Sequence, residues 1–183
     1  MEVEISSLSG VVLLTPKRFG DDRGYFSETW NRAALVDAGI NDDFVQDNES
    51  SSANRFTFRG FHFQRPPNAQ AKLVRVLRGA VLDVVIDVRK GSPSFGQHLS
   101  VELSSANGRQ IYIPVGFAHG FLTLHPETVV LYKASNYYAP ADENGIRYDD
   151  PHLGISWPAT MDQLTINERD QGWPGLAEIE PLA

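Results

Sequence analysis

The sequence predicts an all-β domain, either an antiparallel sandwich or a barrel, with short helices flanking it. Three observations predict this class: runs rich in β-branched residues fill the middle of the chain, turn residues separate these runs, and helix signals are few. Short strands at intervals of roughly 8–12 residues are typical of such folds. With 183 residues and no linker-like segment, the chain is predicted to form one domain over residues 1–183.

The strongest strand signal lies between Gly79 and Gly91. Apolar residues occupy every even position from 82 to 88, while Asp83 and Asp87 alternate with valines at the odd positions. This density of β-branched residues favours a buried strand over a helix. The same reasoning predicts further strands at residues 72–77, 98–103, 111–113, 117–124 and 129–138.

Helix signals occur at two places. Residues 31–38 follow a candidate N-cap at Thr29, and Gly39 ends the run. A second short helix is predicted near residues 160–163, after Pro158. Both lie outside the run of predicted strands, so they flank the β core.

Composition excludes several classes of function. A net charge of −7 and a sequence pI near 5.1 argue against a nucleic-acid groove or a membrane-surface patch. The lack of cysteine excludes disulfides, thiolate nucleophiles and cysteine metal sites. No apolar run is long enough to span a bilayer, and the acidic N-terminus lacks the apolar core of a signal peptide. We therefore expect a cytoplasmic protein.

His62 lies in a segment with two chemically different faces. Strand alternation over residues 58–64 puts Gly60, His62 and Gln64 on one face and Arg59 with two phenylalanines on the other. This is the pattern of a strand that borders a wet pocket. Elsewhere, Lys72 shares a face with valines, and Tyr132 shares one with Val130 and Ala134. Each of these two is either a functional group or a strand-end residue that reaches solvent.

His119 ends the spacing G-x5-P-x-G-x2-H, which runs from Gly108 and resembles the second sequence motif of the cupins. Cupins are small jelly-roll barrels, which agrees with the predicted strands. The metal ligands usual in the first cupin motif are absent, because His62 is followed by Phe63 and Gln64 rather than by a second histidine, and Thr123 replaces the final asparagine of the second motif. A metal site is therefore not expected.

Across most of its length the chain resembles the dTDP-4-dehydrorhamnose 3,5-epimerases, metal-free members of the cupin fold class. The resemblance is carried by separate blocks that occur in the same order: FGDDRGYFSE (19–28), VQDNES (45–50), RGFHFQ (59–64), QAKLVRVLRG (70–79), IPVGFAHGF (113–121), LYK (131–133), YYAP (137–140) and NERD (167–170). It implies a cupin-type jelly roll.

The resemblance also implies an activity. Such enzymes invert carbons 3 and 5 of dTDP-4-dehydro-6-deoxy-D-glucose to give dTDP-4-dehydro-L-rhamnose, on the route to L-rhamnose and cell-surface polysaccharide. They remove each proton and return one to the opposite face. No cofactor is implied, because the 4-keto group of the substrate takes up the electrons as an enolate. The implied partners are the nucleotide-sugar substrate and a second copy of the chain, in a homodimer that exchanges strands near the N-terminus.

The resemblance assigns roles residue by residue. His62 corresponds to the base, Asp170 to the carboxylate that orients it, Tyr132 to the acid on the opposite face, and Lys72 to the cation that stabilises the enolate oxygen. The substrate-binding positions are Arg23, Phe26, Glu28, Gln46, Asn48, Arg59, His119, Tyr138, Glu143 and Arg169.

Three features qualify these assignments. Phe61 and Phe63 replace a leucine and a tyrosine of many members but keep apolar bulk, and Arg169 replaces a lysine, which changes the geometry of the charge. Strict alternation places Arg59 on the face opposite His62, so its role needs a bulge or a rim position.

The sequence leaves three alternatives open. One is a single-position epimerase, at carbon 3 or carbon 5, of another dTDP-4-keto-deoxysugar pathway. Another is a nucleotide-sugar ketoisomerase, which the long C-terminal segment with Asp170 disfavours. The third is a non-catalytic sugar-binding cupin, which the joint presence of His62, Lys72, Tyr132 and Asp170 disfavours.

Overall fold

The computed structural model describes residues 1–182, so residue 183, the last of the predicted domain, lies outside the described residues. Thirteen strands and two short α-helices form it. The strands are β1 (Glu2–Ile5), β2 (Val12–Thr15), β3 (Phe19–Asp21), β4 (Gly24–Phe26), β5 (Gln46–Ser52), β6 (Phe58–Gln64), β7 (Lys72–Arg78), β8 (Ala80–Asp87), β9 (His98–Ser104), β10 (Gln110–Ile113), β11 (Phe117–Thr123), β12 (Thr128–Ala134) and β13 (Glu143–Gly145). The helices are α1 (Arg32–Asp37) and α2 (Glu168–Gln171), with 3₁₀ turns at Pro151–Leu153, Met161–Gln163 and Leu176–Glu178.

Two antiparallel sheets form the body of the molecule. The first sheet has six strands in the order β1-β2-β10-β7-β12-β5, and the second has five in the order β13-β6-β11-β8-β9. Strands β3 and β4 pair with each other as a separate hairpin. Since strands adjacent in space are mostly distant in sequence, this is a jelly-roll sandwich, and the predicted all-β fold class is confirmed.

The main core lies between the two sheets. Val74 and Val130 of the first sheet pack there against Val85 and Phe121 of the second, and all four are almost inaccessible to solvent. The outer face of the second sheet carries a separate cluster in which Phe58 and Phe61 pack under the C-terminal segment. Helix α1 covers part of the outer face of the first sheet. One end of the sandwich interior is left for polar side chains.

The central strands agree with the sequence prediction, and three boundaries are corrected. The strand predicted at 129–138 ends at Ala134, and the one predicted at 117–124 ends at Thr123. Asn31, rather than Thr29, caps α1, because its side chain accepts a hydrogen bond from the Ala34 N–H. The helix predicted near 160–163 is a single 3₁₀ turn. No helix among residues 1–182 is long and apolar enough to cross a membrane.

A β-bulge in β6 overturns the strict alternation predicted for residues 58–64. His62 pairs with His119 of β11, but Arg59 pairs with Phe121, so three steps along β6 match two along β11. The extra residue puts Arg59 on the same side as His62. Gly60 occupies the bulge with φ +140°, and a Cβ there would lie 2.5 Å from the Cα of Gly120.

Candidate active site

A cleft with a volume of about 500 Å³ opens at one end of the sandwich, between the two sheets. The first sheet supplies side chains from β5, β7 and β12, and the second supplies them from β6, β11 and β13, with α2 at the edge. The lining residues are Gln46, Asn48, Ser50, Arg59, His62, Gln70, Lys72, His119, Phe121, Tyr132, Tyr138, Glu143, Asn167, Arg169 and Asp170. The four residues predicted to be catalytic therefore lie in one cleft.

His62 and Asp170 form a hydrogen-bonded pair on the second sheet's side. His62 Nε2 lies 2.7 Å from Asp170 Oδ1, and Asp170 Oδ2 accepts a second bond from the N–H of Gly60 at 3.1 Å. Asp170 is 1% exposed. Burial opposes its ionisation, but the bonds from His62 and Gly60 outweigh this and lower the pKa of Asp170. A buried carboxylate of this kind fixes the orientation of the imidazole.

Local sequence explains how Asp170 reaches that position. Asn167 caps α2 by accepting a hydrogen bond from the Asp170 N–H at 2.7 Å. Helix α2 has only four residues, so its placement depends on this cap and on packing against β6. The ring of Trp173, which follows α2, meets His62 edge-on with 6.1 Å between centroids. The segment around α2 thus supplies both the carboxylate and an aromatic neighbour of the imidazole.

Tyr132 and Lys72 stand on the opposite wall, in the adjacent strands β12 and β7 of the first sheet. The Lys72 Nζ lies 5.8 Å from the centre of the Tyr132 ring. Burial lowers the pKa of Lys72 to about 8, against the opposing charges of Asp83 and Glu143. Burial, together with the negative charge of Glu143, raises the pKa of Tyr132. At neutral pH Tyr132 therefore retains its proton, while a small rise in pH neutralises Lys72.

A second imidazole–carboxylate pair lies beside the first. His119 Nε2 is 2.9 Å from Asp83 Oδ2, and His119 is directly paired with His62 across the β6–β11 ladder. His119 is 7% exposed and Asp83 is completely buried. The other carboxylate oxygen of Asp83 has no hydrogen-bond partner among the described residues.

The mouth of the cleft is lined by polar and aromatic groups. Tyr138 donates its hydroxyl hydrogen bond to Glu143 at 2.8 Å, and Arg169 reaches the same carboxylate at 2.9 Å. Gln46 donates to Asn48 at 2.9 Å along β5. Arg59 donates to the Ser52 hydroxyl at 3.2 Å and to the Ser51 carbonyl. Two guanidinium groups therefore face a region suited to an anionic ligand.

Three predicted binding residues lie away from this cleft. Arg23 sits in the β3–β4 turn, ion-paired with Asp21, and Phe26 at the end of β4 is 70% exposed. Glu28 lines a separate groove on the outer face of the first sheet, with Trp30. Within one chain, the fold does not bring these three side chains to His62.

Sequence reasoning missed several residues of the cleft. It did not pair Asp83 with His119, although it noted an acid at an otherwise apolar position. The lining residues Ser50, Gln70, Phe121 and Asn167 were not singled out. All four lie within the sequence blocks that carry the resemblance, but none of them has a titratable side chain, so their residue type alone does not indicate a catalytic role. Among residues 1–182, no three His, Cys, Asp or Glu side chains converge as a metal site would require.

The arrangement suits the inversion of a carbon acid. A ring placed in the cleft has an imidazole on one side and a phenol on the other, because His62 and Tyr132 belong to opposite sheets. One wall can remove a proton, and the other can supply one to the opposite face. Lys72 and His119 are placed to bind an oxygen that becomes negative in between.

Known proteins similar to this chain are epimerases of nucleotide-linked sugars. The family described as dTDP-4-dehydrorhamnose 3,5-epimerase matches residues 6–178. A dTDP-4-dehydrorhamnose 3,5-epimerase of Sinorhizobium fredii is 48% identical over 177 residues, which cover 94% of this chain and 88% of that protein.

Two solved structures are similar over nearly the whole chain. The epimerase of Legionella pneumophila, in complex with dTDP-4-keto-L-rhamnose, superposes with a TM-score of 0.94 at 40% identity, covering 100% of this chain and 98% of that one. The epimerase of Bacillus anthracis, with TDP and pyrophosphate bound, has a TM-score of 0.92 at 44% identity and covers 95% and 98%.

Proposed function

This chain belongs to the dTDP-4-dehydrorhamnose 3,5-epimerase family, and we propose that His62 and Tyr132 are the base and the acid of its reaction. The enzyme is an isomerase that inverts carbons 3 and 5 of dTDP-4-dehydro-6-deoxy-D-glucose. The observation that carries the proposal is the position of the two side chains in opposite walls of one cleft.

Each inversion needs two proton transfers. Neutral His62 takes the proton from the carbon next to the keto group, and the electron pair of that C–H bond moves to the keto oxygen to form an enolate. Tyr132 then gives its hydroxyl proton to the opposite face of the same carbon, and the carbonyl re-forms. The raised pKa of Tyr132 keeps this proton available at neutral pH. The imidazolium and the phenolate return to their starting states by exchange with water before the second carbon reacts.

The enolate oxygen needs a positive neighbour. Lys72 is the first candidate, since its ammonium lies over the Tyr132 ring, and His119 lines the same cleft from β11. A well-placed donor of this kind contributes roughly 2.7–4 kcal/mol to the transition state. Because the keto group of the substrate accepts the electron pair, these side chains account for every proton transfer in the inversion.

The nucleotide end of the substrate occupies the mouth of the cleft in this proposal. Arg59 and Arg169 bind the diphosphate, since a guanidinium fork matches phosphate oxygens. Tyr138, exposed at the rim, provides an aromatic face for the base, and Glu143 holds its hydroxyl. Gln46 and Asn48 present amides from β5 to the base and the sugar.

The proposal includes a homodimer, because Arg23, Phe26 and Glu28 have no place in the cleft of their own chain. The β3–β4 hairpin that carries two of them projects apolar side chains into solvent. Ile5 of the edge strand β1 is also exposed, at 83%. A second copy that covers this edge and receives the hairpin in its cleft gives all three residues a function. The proposal also includes a cytoplasmic location, which a chain without cysteine accords with.

Solvent-isotope exchange tests the function. The enzyme is incubated with the 4-keto sugar in D₂O, and the product is examined by NMR. Deuterium at both carbon 3 and carbon 5, with both centres inverted, is expected. Label at one carbon alone identifies a single-position epimerase, and binding of dTDP without any exchange identifies a sugar-binding protein. Either of these results contradicts the proposal.

A further inference from the structure

Asp83, the buried partner of His119, takes no part in the two proton transfers. Asp83 lies on the inner face of β8 between Val81 and Val85, which are both fully buried. Burying a carboxylate among apolar side chains costs several kcal/mol unless nearby groups compensate for it. An acid at this position is a poor choice for stability alone.

The compensation available to Asp83 comes only partly from hydrogen bonds. Oδ2 meets His119 Nε2 at 2.9 Å, whereas Oδ1 has no partner within the part of the chain that is described. The other charged group influenced by Asp83 is Lys72, whose ammonium is favoured by the carboxylate's negative charge. Glu143 acts on Lys72 in the same direction from the rim, and the phenol of Tyr132 stands beside it. Asp83 is thus electrostatically linked to both groups that face the substrate oxygen.

We propose that Asp83 is a positioning residue for the epimerisation, which orients the His119 ring and is a counter-charge to Lys72, so that both face the keto oxygen. This rests on the proposed function of His119 and Lys72. The hydrogen bond at Nε2 leaves Nδ1 as the nitrogen that His119 can turn to the cleft. The negative charge offsets the burial that would otherwise remove the Lys72 proton. Two imidazole–carboxylate pairs thus support the site: Asp170 orients the base His62, and Asp83 orients His119 in the group that binds the oxygen.

Asp83→Asn tests this proposal through its pH profile. The amide keeps the shape but removes the charge, so Lys72 loses its proton at lower pH, and the alkaline limb of kcat/KM moves to lower pH. We expect kcat to fall by about 10²-fold, the scale of a misplaced catalytic group, while dTDP binds within threefold of wild type. An unshifted alkaline limb with kcat within twofold of wild type overturns the proposal.

Asp87→Asn is the matched control. Asp87 is also fully buried and lies in the same strand, but it bonds to Arg89, Ser92 and Ser94 away from the cleft. Its variant is expected to lose stability and to keep the wild-type alkaline limb. An equal shift of the limb in both variants assigns the effect to general loss of stability and overturns the proposal.

A direct titration separates this proposal from the proposed function. The Lys72 ammonium is followed by ¹³C NMR, which requires no turnover. The Lys72 pKa is expected to fall in Asp83→Asn. It is also expected to fall in the double variant Asp83→Val with His119→Phe, which replaces the buried polar pair by two apolar side chains and serves if Asp83→Asn does not fold. An unchanged or raised pKa in the variant that folds overturns the proposal, even if the enzyme is an epimerase. Conversely, a lowered pKa in a protein without epimerase activity refutes the function and not the electrostatic link.

Discussion

His62 Nε2 lies 2.7 Å from Asp170 Oδ1, a contact between side chains 108 positions apart in the sequence. The strand β6 supplies one partner and the short helix α2 the other. A carboxylate that is 1% exposed and also accepts a backbone N–H bond holds the imidazole in a defined orientation. The base of the proposed reaction is thus positioned by the C-terminal segment.

Asp170→Asn is expected to lower kcat by about 10²-fold with little change in KM, because the ring loses its orientation and the partner of its positive charge. Steady-state kinetics measures this. Asp150→Asn is the control, since Asp150 also bonds to a histidine, His152 at 2.9 Å, but far from the lining of the cleft. If both variants lose activity equally, the loss reflects stability and not the orientation of His62.

Replacement of Lys72 by Met is expected to abolish turnover and to stabilise the fold. In the folded chain the lysine pKa is about 8, below its ordinary 10.5, so holding the proton costs free energy at neutral pH. We expect Lys72→Met to be more stable by roughly 1–3 kcal/mol at pH 7. The gain should fade as pH rises from about 8, where the folded lysine loses its proton, towards 10.5, where the lysine of the unfolded chain loses it as well.

Chemical denaturation at several pH values measures this gain. Lys133→Met is the control, because it also replaces a lysine of the same sheet by methionine, but Lys133 is on the outer face and forms an ion pair with the exposed Asp47 at 2.9 Å. A Lys72→Met variant that is less stable than wild type at pH 7 contradicts the account of a charge held at a cost for catalysis.

Gly60→Ala is expected to be far more destabilising than Gly91→Ala. Both glycines have positive φ, at +140° and +72°, so both substitutions carry backbone strain of about 1 kcal/mol or more. Only at position 60 does the added Cβ collide with backbone, at 2.5 Å from Gly120 Cα, whereas nothing lies within 4 Å at position 91. Urea denaturation of the two variants measures the difference, and equal losses of stability contradict a tight bulge between β6 and β11.

Mixing two inactive variants tests the exchange of the hairpin between subunits. In the proposed dimer, each site combines His62 of one chain with Arg23 of the other. Mixed dimers of His62→Ala and Arg23→Ala therefore contain one intact site, and activity should recover when the two proteins exchange subunits. If Arg23 instead serves its own chain, every site in the mixture carries one defect and no recovery occurs.

The sequence predicted the central strands well, because their alternation and β-branched residues are local signals. Strict alternation put Arg59 on the wrong face of β6, and the bulge that its role required could not be located from the sequence. The role of Gly60 is clear only from its close approach to Gly120. Strands with few apolar residues, such as β5, and the four-residue α2 leave no periodic signal.

The resemblance predicted most residues of the candidate site, whereas strand alternation and residue type alone predicted only some of them. His62, Lys72 and Tyr132 stood out as polar groups on defined strand faces, whereas their meeting in one cleft depends on the pairing of two sheets. The link between Asp83 and His119 spans 36 positions, and no local pattern reports such a contact. Arg23, Phe26 and Glu28 were predicted from the resemblance, and one chain alone gives them no site.

Measuring proton removal and proton return separately is the most direct test that the base and the acid lie on opposite walls of the cleft. In D₂O, Tyr132→Phe should exchange the substrate protons through His62 without inverting either carbon, because the opposite wall has no proton to give. His62→Ala should exchange and invert at least about 10²-fold more slowly than wild type, while still binding dTDP. Inversion by Tyr132→Phe at the wild-type rate, or exchange by His62→Ala at the wild-type rate, would contradict the assignment of acid and base to opposite sheets.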